Sequence, residues 1–176
     1  MRKIVTSIVL LLAMCSTVII SCSDSDDATD EAITGGIVFF QGTWDEALAQ
    51  ATKENKLVFL DAYASWCGPC KKMKRNVFTD TAVAAFFNKN FVNVAADMEK
   101  GEGVNIADKF GIDSYPTLIF TNDDGMQLGR ESGYHDPEEL IALAKTVLDN
   151  RKQQKWHLWF LLIEQPYQSF YFSLVV

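Results

Sequence analysis

Residues 57–70, LVFLDAYASWCGPC, place a short apolar run directly before a pair of closely spaced cysteines. The run Leu57–Leu60 has no polar interruption, which is typical of a β-strand that is covered on both faces. From the second cysteine onward, Cys70, Met73 and Val77 recur at positions i, i+3 and i+7, the spacing of one buried stripe on a helix. The sequence therefore predicts a buried strand that leads through the first cysteine into a helix.

Local signals on both sides of this stretch predict the remaining elements. They are, in chain order, a short edge strand over Ile37–Phe40, a helix from the Thr43-x-x-Glu46 capping box to about Asn55, a helix over about Asp80–Asn88, a strand over Phe91–Asp97, a short helix ending before Gly111, a hairpin of Thr117–Phe120 and Met126–Ser132, and a last helix that begins after Asp136. A βαβ unit followed by a ββα unit results, so the predicted class is α/β.

The position of the two cysteines predicts their chemistry. Cys67 stands at the first turn of the predicted helix, where unpaired backbone N–H groups and the positive end of the helix dipole favour a thiolate. Cys70 lies one turn deeper, placed to attack a mixed disulfide formed at the first sulfur. We therefore predict that Cys67 is the nucleophile and Cys70 the resolving thiol. Pro69 fits the first turn and stiffens the loop between the sulfurs. The basic side chains that follow fall mainly on other faces of the helix: Lys71, Lys72, Lys74 and Arg75.

Two structural roles compete with redox chemistry at this motif. Zinc normally needs four ligands, and beyond the motif the chain without its N-terminal apolar run, which contains Cys15, offers only Cys22 and the isolated His135 and His157. A disulfide across a four-residue loop would stabilise the fold by about 2 kcal/mol in the chain-entropy model, less than a longer loop would. Redox chemistry is the better explanation, and we expect no bound metal.

Two motifs resemble the thioredoxin family: Trp66-Cys67-Gly68-Pro69-Cys70 after a strand, and Tyr115-Pro116-Thr117 before the next-to-last strand. The resemblance covers about residues 37–148 and is greatest to the C-terminal domain of periplasmic thiol:disulfide interchange reductases. It implies a thioredoxin fold, with a central mixed β-sheet flanked by helices, and a thiol:disulfide oxidoreductase. Such an enzyme needs no organic cofactor, since its redox group is the disulfide itself.

Asp61 lies six residues before the first cysteine, at the end of the apolar strand. A buried carboxyl group there should have a raised pKa. The resemblance implies that it accepts the proton of Cys70; the alternative is an ordinary aspartate that faces solvent. The lysine that many thioredoxins carry on the neighbouring strand has no match here, because Asn93 and Ala95 occupy that stretch.

The resemblance also implies a substrate-binding surface. Pro116 should follow a cis peptide bond that faces the cysteines, and the Tyr115 backbone should pair with an extended substrate segment. Trp66, Gly68 and Pro69 would form the contact surface beside the sulfurs. The alternatives are a trans proline that opens a strand and a tryptophan with a packing role only.

The N-terminus resembles an export signal of the bacterial lipoprotein type. Met1-Arg2-Lys3 precedes an apolar run to Ile20, and Ile19-Ile20-Ser21-Cys22 is similar to a lipobox. We expect residues 1–21 to be the signal, Cys22 to carry the lipid, and the acidic residues 22–36 to be a flexible linker. The alternative is an uncleaved membrane anchor.

Charge and hydropathy argue against nucleic-acid binding and against a tail that spans a membrane. Lys plus Arg is 16 against 23 Asp plus Glu, so the chain has a formal charge of −7 and offers no basic footprint for nucleic acid. A folded domain over residues 37–150 is followed by the aromatic-rich tail 151–176, whose longest apolar run is six residues, too short to span a bilayer. Packing on the domain, a partner, a membrane interface and a truncated or misread end stay open for this tail.

Signal and resemblance together predict a lipid-anchored, periplasm-facing oxidoreductase of the bacterial envelope. We expect it to act as a monomer that reduces or exchanges disulfides in exported proteins, and to be recharged by an electron donor in the membrane. The alternatives are a disulfide oxidase or isomerase that uses the same cysteines, and a non-enzymatic docking module of thioredoxin fold.

Overall fold

The computed structural model describes residues 35–171, and within them all side chains except those of 155, 157, 158 and 161–171. Its elements are α1 (Trp44–Glu54), β1 (Leu57–Tyr63), α2 (Gly68–Asn76), α3 (Thr81–Asn90), β2 (Phe91–Asp97), α4 (Gly103–Phe110), β3 (Thr117–Thr121), β4 (Gln127–Ser132) and α5 (Pro137–Tyr171). The signal sequence, Cys22 and most of the linker lie outside the described residues. The order of helices and strands agrees with the sequence-based prediction from α1 onward.

The strands form one mixed sheet with the order β2-β1-β3-β4. β1 pairs parallel with β2 and antiparallel with β3, and β3 pairs antiparallel with β4. β1 therefore lies inside the sheet, and its residues from Leu57 to Ala62 are all buried. The prediction of a strand covered on both faces is confirmed, and the fold is that of thioredoxin.

Alternate residues of β1 belong to two separate hydrophobic clusters, one on each face of the sheet. Leu57 and Phe59 pack with residues of α2, α3 and α5. Val58 and Leu60 pack with residues of α1 and α4. The Phe59 ring lies 4.8 Å from that of Phe87, centroid to centroid, in an edge-to-face arrangement. Removal of such a buried phenylalanine side chain typically costs about 3–5 kcal/mol, so the two clusters hold the strand that leads to the cysteines.

The N-terminal segment differs from the edge strand predicted over Ile37–Phe40. The structure has a single parallel bridge there, between Phe39 and Asn93. Asn93 holds the segment with both its backbone and its side chain: its carbonyl accepts the Phe40 N–H at 2.7 Å, and its Nδ2 donates to the Val38 carbonyl at 3.3 Å. The prediction was wrong in extent, because side-chain hydrogen bonds replace most of a strand ladder.

The last helix runs without a break through the boundary proposed at residue 150. α5 is 35 residues long, and Trp156, Trp159 and Phe160 are exposed in its second half. Between residues 35 and 171, no helix has both the length and the apolar character to cross a membrane. The division into domain and tail, and the role of the tail, stay predictions.

Candidate active site

Cys67 and Cys70 are joined by a disulfide bond at the start of α2. The S–S distance is 2.04 Å and the Cα atoms are 5.4 Å apart. Cys67 is the N-cap residue of the helix, and its Sγ accepts a hydrogen bond from the Cys70 backbone N–H at 3.1 Å. Pro69 stands in the first turn, where its missing N–H leaves no bond unmade. The predicted placement of both cysteines on the helix is confirmed.

Exposure does not distinguish the two sulfurs in this oxidised state. Cys67 is 2% exposed and Cys70 is 5% exposed, although we expected the first to be the more accessible. Their positions on the helix do differ, because Cys67 precedes the first turn while Cys70 shares the buried stripe of Met73 and Val77. The assignment of nucleophile and resolving thiol therefore depends on capping geometry.

Tyr115 lies beside the cysteine pair, and Pro116 follows it in the chain. The peptide bond between them is cis, as the resemblance implied. Tyr115 packs against the small cluster formed by Ala64, Cys67 and Cys70. Burial raises the pKa of the Tyr115 hydroxyl, and the charges of nearby acidic groups act in the same direction. The structure thus brings the two predicted motifs, which begin 49 positions apart at Trp66 and Tyr115, into one site.

Trp66 extends from the site into solvent, with 66% of its surface exposed. Its indole N–H donates to Glu99 Oε2 at 2.9 Å, and its ring meets that of Tyr115 edge to face at 5.9 Å between centroids. Gly68 and Pro69 are also exposed, and a Cβ added at Gly68 would meet nothing within 4 Å. The surface next to the sulfurs is therefore open and partly aromatic.

The sequence analysis missed the loop that orients Trp66. Glu99, in the loop after Asp97, accepts the hydrogen bond of the indole. Lys100 ties the same loop to the site, since its Nζ lies 3.1 Å from Ser65 Oγ and 3.0 Å from Asp97 Oδ2. No local pattern could have found the contacts of Glu99 with Trp66 and of Lys100 with Ser65, because each joins residues more than 30 positions apart.

Asp61 lies on β1, 6% exposed, opposite Ala95 of β2 and Leu118 of β3. Its Oδ1 has no hydrogen-bond partner among the described residues. Burial raises the pKa of this carboxyl to about 7, and the charge of Lys74 opposes that rise. The prediction of a buried acid with a raised pKa is confirmed, and the alternative of a solvent-facing aspartate is wrong.

A cleft of about 530 Å³ opens beside Asp61 and Cys70. The N-terminal segment forms one wall with Phe39 and Phe40, and α2 forms another. Lys74 also lines this cleft, whereas the sequence analysis placed it mainly on another face of the helix. The signal that could have found it is its spacing of four residues from Cys70, one helical turn.

The sequence of residues 44–148, well over half of the chain, matches the family model of the thioredoxin-like domain. The chain belongs to the thioredoxin-like family. It is a thiol:disulfide oxidoreductase, and enzymes of this family work with a cysteine disulfide rather than a bound organic cofactor. In the described part of the chain, no three His, Cys, Asp or Glu side chains come together as metal ligands would.

Relatives of this thioredoxin-like chain include interchange proteins and thioredoxins. It is 31% identical over 109 residues to the thiol:disulfide interchange protein DsbD of Pseudoalteromonas atlantica, a match over 60% of this chain and 18% of that protein. It is 31% identical over 94 residues to thioredoxin-1 of Drosophila yakuba, covering 53% of this chain and 82% of that one. Among solved structures, a proposed disulphide isomerase of Bacteroides thetaiotaomicron is 44% identical with a TM-score of 0.59, over 65% of this chain and 95% of that chain.

Proposed function

We propose that the chain is a lipid-anchored enzyme of the bacterial envelope that reduces or exchanges disulfides in exported proteins. The observation that carries the proposal is the bonded Cys67–Cys70 pair, capped at a helix N-terminus next to an open surface. Similarity to an interchange protein supports the envelope location and the substrate class, although the chain spans less than a fifth of that protein's length.

The reaction consists of two exchange steps. In the dithiol form, the Cys67 thiolate attacks one sulfur of a substrate disulfide, and the other substrate sulfur leaves as a thiolate that takes a proton from solvent. Cys70 then loses its proton and attacks the Cys67 sulfur of the mixed disulfide. The Cys67–Cys70 bond forms, the second substrate sulfur leaves as a thiolate, and two electrons have passed to the substrate.

Asp61 accepts the proton of Cys70 in the second step. Both side chains line the same cleft, and a cleft of this volume has room for a water molecule between them. A carboxyl group with a pKa near 7 is well matched to a proton acceptor at neutral pH.

The substrate lies on the surface formed by Trp66, Gly68, Pro69, Tyr115 and Pro116. An extended segment pairs with the Tyr115 backbone as a short added strand, and the exposed indole provides apolar contact area. The open space beside Gly68 leaves room for the substrate backbone to come close to the sulfurs.

Reduction requires that the oxidised pair is recharged after each turnover. An exported domain has no access to cytosolic reductants, so a membrane protein that donates electrons restores the dithiol. We favour reduction over oxidation because Gly-Pro separates the two cysteines here, as it does in thioredoxin. A lipid on Cys22 keeps the domain near this donor, and the domain acts as a monomer.

Trapping of a mixed disulfide tests the two-step reaction. Cys70→Ser should accumulate a covalent complex with a substrate protein, and dithiothreitol should cleave that complex by reducing its disulfide. Cys67→Ser should form no such complex. Both variants should lose insulin reduction. If Cys67→Ser traps substrate and Cys70→Ser does not, the roles of the two sulfurs are reversed; if neither variant changes the phenotype of the cell, the chain is a docking module.

The membrane anchor has its own test. Wild-type protein in cells should fractionate with membranes and carry a lipid mass on the peptide that begins at Cys22. Cys22→Ser should abolish both without loss of insulin reduction by the purified protein. An unmodified Cys22 in the membrane fraction would point to an uncleaved anchor instead.

Isomerisation is the second candidate, favoured by the 44% identity to a proposed disulphide isomerase. The reduction potential of the Cys67–Cys70 pair distinguishes a reductase from an isomerase. A value of about −270 mV is typical of thioredoxin, and one of about −180 mV is typical of protein disulfide isomerase. A potential near the first value, with weak recovery of scrambled ribonuclease, supports reduction. A potential near the second, with efficient recovery, supports isomerisation.

A further inference from the structure

Asp61 can accept a proton only while its carboxyl is ionised, and a cation nearby would stabilise that negative charge against the effect of burial. The adjacent strands supply no such cation. Ala95 of β2 and Leu118 of β3 are its partners in the sheet, and both are uncharged. The N-terminal segment contributes Phe39, Phe40 and Gln41 to the cleft, which are also uncharged. Among the described residues that line the cleft, positive charge comes only from α2, through Lys71 and Lys74.

Lys74 is the better placed of these two lysines. It lies one helical turn beyond Cys70, so the thiol and the ammonium group share one side of α2. Its charge favours the ionised form of Asp61 and opposes the effect of burial. Lys74 is exposed to solvent as well as lining the cleft, as is common for a lysine whose apolar stem covers protein surface.

We infer that Lys74 is the positioning residue for the second exchange step: it holds the negative charge on Asp61, and the cleft that both line carries the proton of Cys70 to solvent. The inference rests on the proposed role of Asp61 and extends it. Lys74 on α2 would stabilise the Asp61 carboxylate in place of a lysine on the neighbouring strand, where Asn93 and Ala95 stand instead.

The proton balance of this step is complete. Cys70 gives its proton to the Asp61 carboxylate, directly or through one water, and the Cys70 thiolate attacks the Cys67 sulfur. Asp61 then releases the proton to solvent through the cleft, and the departing substrate thiolate takes up a proton from solvent. Lys74 keeps its charge throughout and exchanges no proton.

The test measures the pKa of Asp61 and the rate of the second step in the same variants of the full-length protein. Carboxyl carbon NMR of the oxidised protein reports the pKa, and single-turnover release of the substrate thiol reports the rate. Lys74→Met should raise the Asp61 pKa by about half a unit or more, since an opposite charge nearby stabilises the carboxylate. The pH midpoint of the release rate should rise by the same amount.

Arg75→Met is the matched control. It removes the same charge from the last turn of the same helix, but Arg75 does not line the cleft. It should leave both quantities unchanged, and Lys74→Arg should restore both to near wild-type values. In an Asp61→Asn background, Lys74→Met should have no further effect on the release rate.

Several outcomes overturn the inference. One is an Asp61 pKa that does not move in Lys74→Met, and another is a shifted pKa with an unshifted rate profile. Equal shifts in Arg75→Met would show a general effect of net charge. Failure of the proposed function is distinguishable from all of these, because wild-type protein would then release no substrate thiol at any pH while its Asp61 pKa could still be measured.

Discussion

The sulfur of Cys67 occupies the place of an N-cap oxygen, with the backbone N–H of Cys70 pointing at it from 3.1 Å. A capping group satisfies one of the unpaired N–H donors at a helix start, and a negative charge there also interacts favourably with the helix dipole. Both effects are larger for a thiolate than for a thiol. The same helix turn therefore places the sulfur and lowers the free energy of its ionised form.

Reduced Cys67 should consequently be more acidic than a free cysteine. We expect its thiol pKa to lie clearly below the value of about 8.5 that is usual for a free cysteine. The rate of alkylation by iodoacetamide as a function of pH measures this value, with mass spectrometry following the peptide that contains Cys67. Cys70 serves as the internal comparison and should react more slowly at neutral pH. A midpoint for Cys67 near 8.5 would contradict the capping argument.

The buried Asp61 predicts an unusual pH dependence of stability. Its pKa is about 7 in the folded protein against a model value of 3.8. A raised carboxyl pKa stabilises the fold fully below the unfolded value, and this stabilisation is lost as pH rises through the folded value. The oxidised protein should therefore lose roughly 4 kcal/mol of unfolding free energy between about pH 4 and pH 8 through this group.

Asp61→Asn isolates that contribution, because the amide has the shape of the carboxyl but does not ionise. At about pH 8 the variant should be the more stable protein by a few kcal/mol, and near pH 4 the two should be equal within about 1 kcal/mol. Urea unfolding at a series of pH values measures the difference. If the variant is destabilised equally at both ends of the series, Asp61 is a structural hydrogen-bonding residue and not a buried acid.

Glu99 should control substrate affinity through Trp66. Its carboxylate accepts the indole N–H at 2.9 Å and fixes an otherwise exposed ring. Because such a hydrogen bond contributes about 0.5–1.5 kcal/mol, Glu99→Ala should raise KM for a disulfide peptide about two- to tenfold and leave kcat nearly unchanged. Glu99→Gln retains an acceptor and should lie close to wild type. The indole Nε1–H signal, identified with Trp66→Phe, should shift in the alanine variant only, and a change in kcat without one in KM would contradict this role.

Local signals were sufficient for most of the fold. Asp61, Cys67 and Cys70 were assigned from a buried run and a helix start that lie within 14 residues of sequence. Helix ends were equally local: Thr43 and Glu46 form the predicted capping box, and Gly111 ends α4 in the left-handed region. These features are encoded by neighbouring residues, which is why periodicity and capping rules recover them.

The parts that escaped prediction depend on contacts between distant segments. Glu99 reaches Trp66 across 33 positions, and Asn93 fixes Val38 across 55. Lys74 was assigned to an outer face because helical periodicity describes one helix alone, whereas its cleft is completed by the N-terminal segment. The continuation of α5 past residue 150 also escaped prediction.

Gly103 should be indispensable for the loop that carries Glu99 and Lys100. A Cβ at this position would lie 2.0 Å from the backbone oxygen of Asp97, and backbone cannot move aside as a flexible side chain can. Gly103→Ala should therefore destabilise the protein by about 2 kcal/mol or more and displace the partner of the Trp66 indole. The matched control is Gly101→Asn in the same loop, where the φ of 53° suits asparagine and an added Cβ meets nothing within 4 Å. Urea unfolding and the Trp66 indole signal measure both effects, and equal unfolding midpoints for the two variants would show that the loop tolerates the shift.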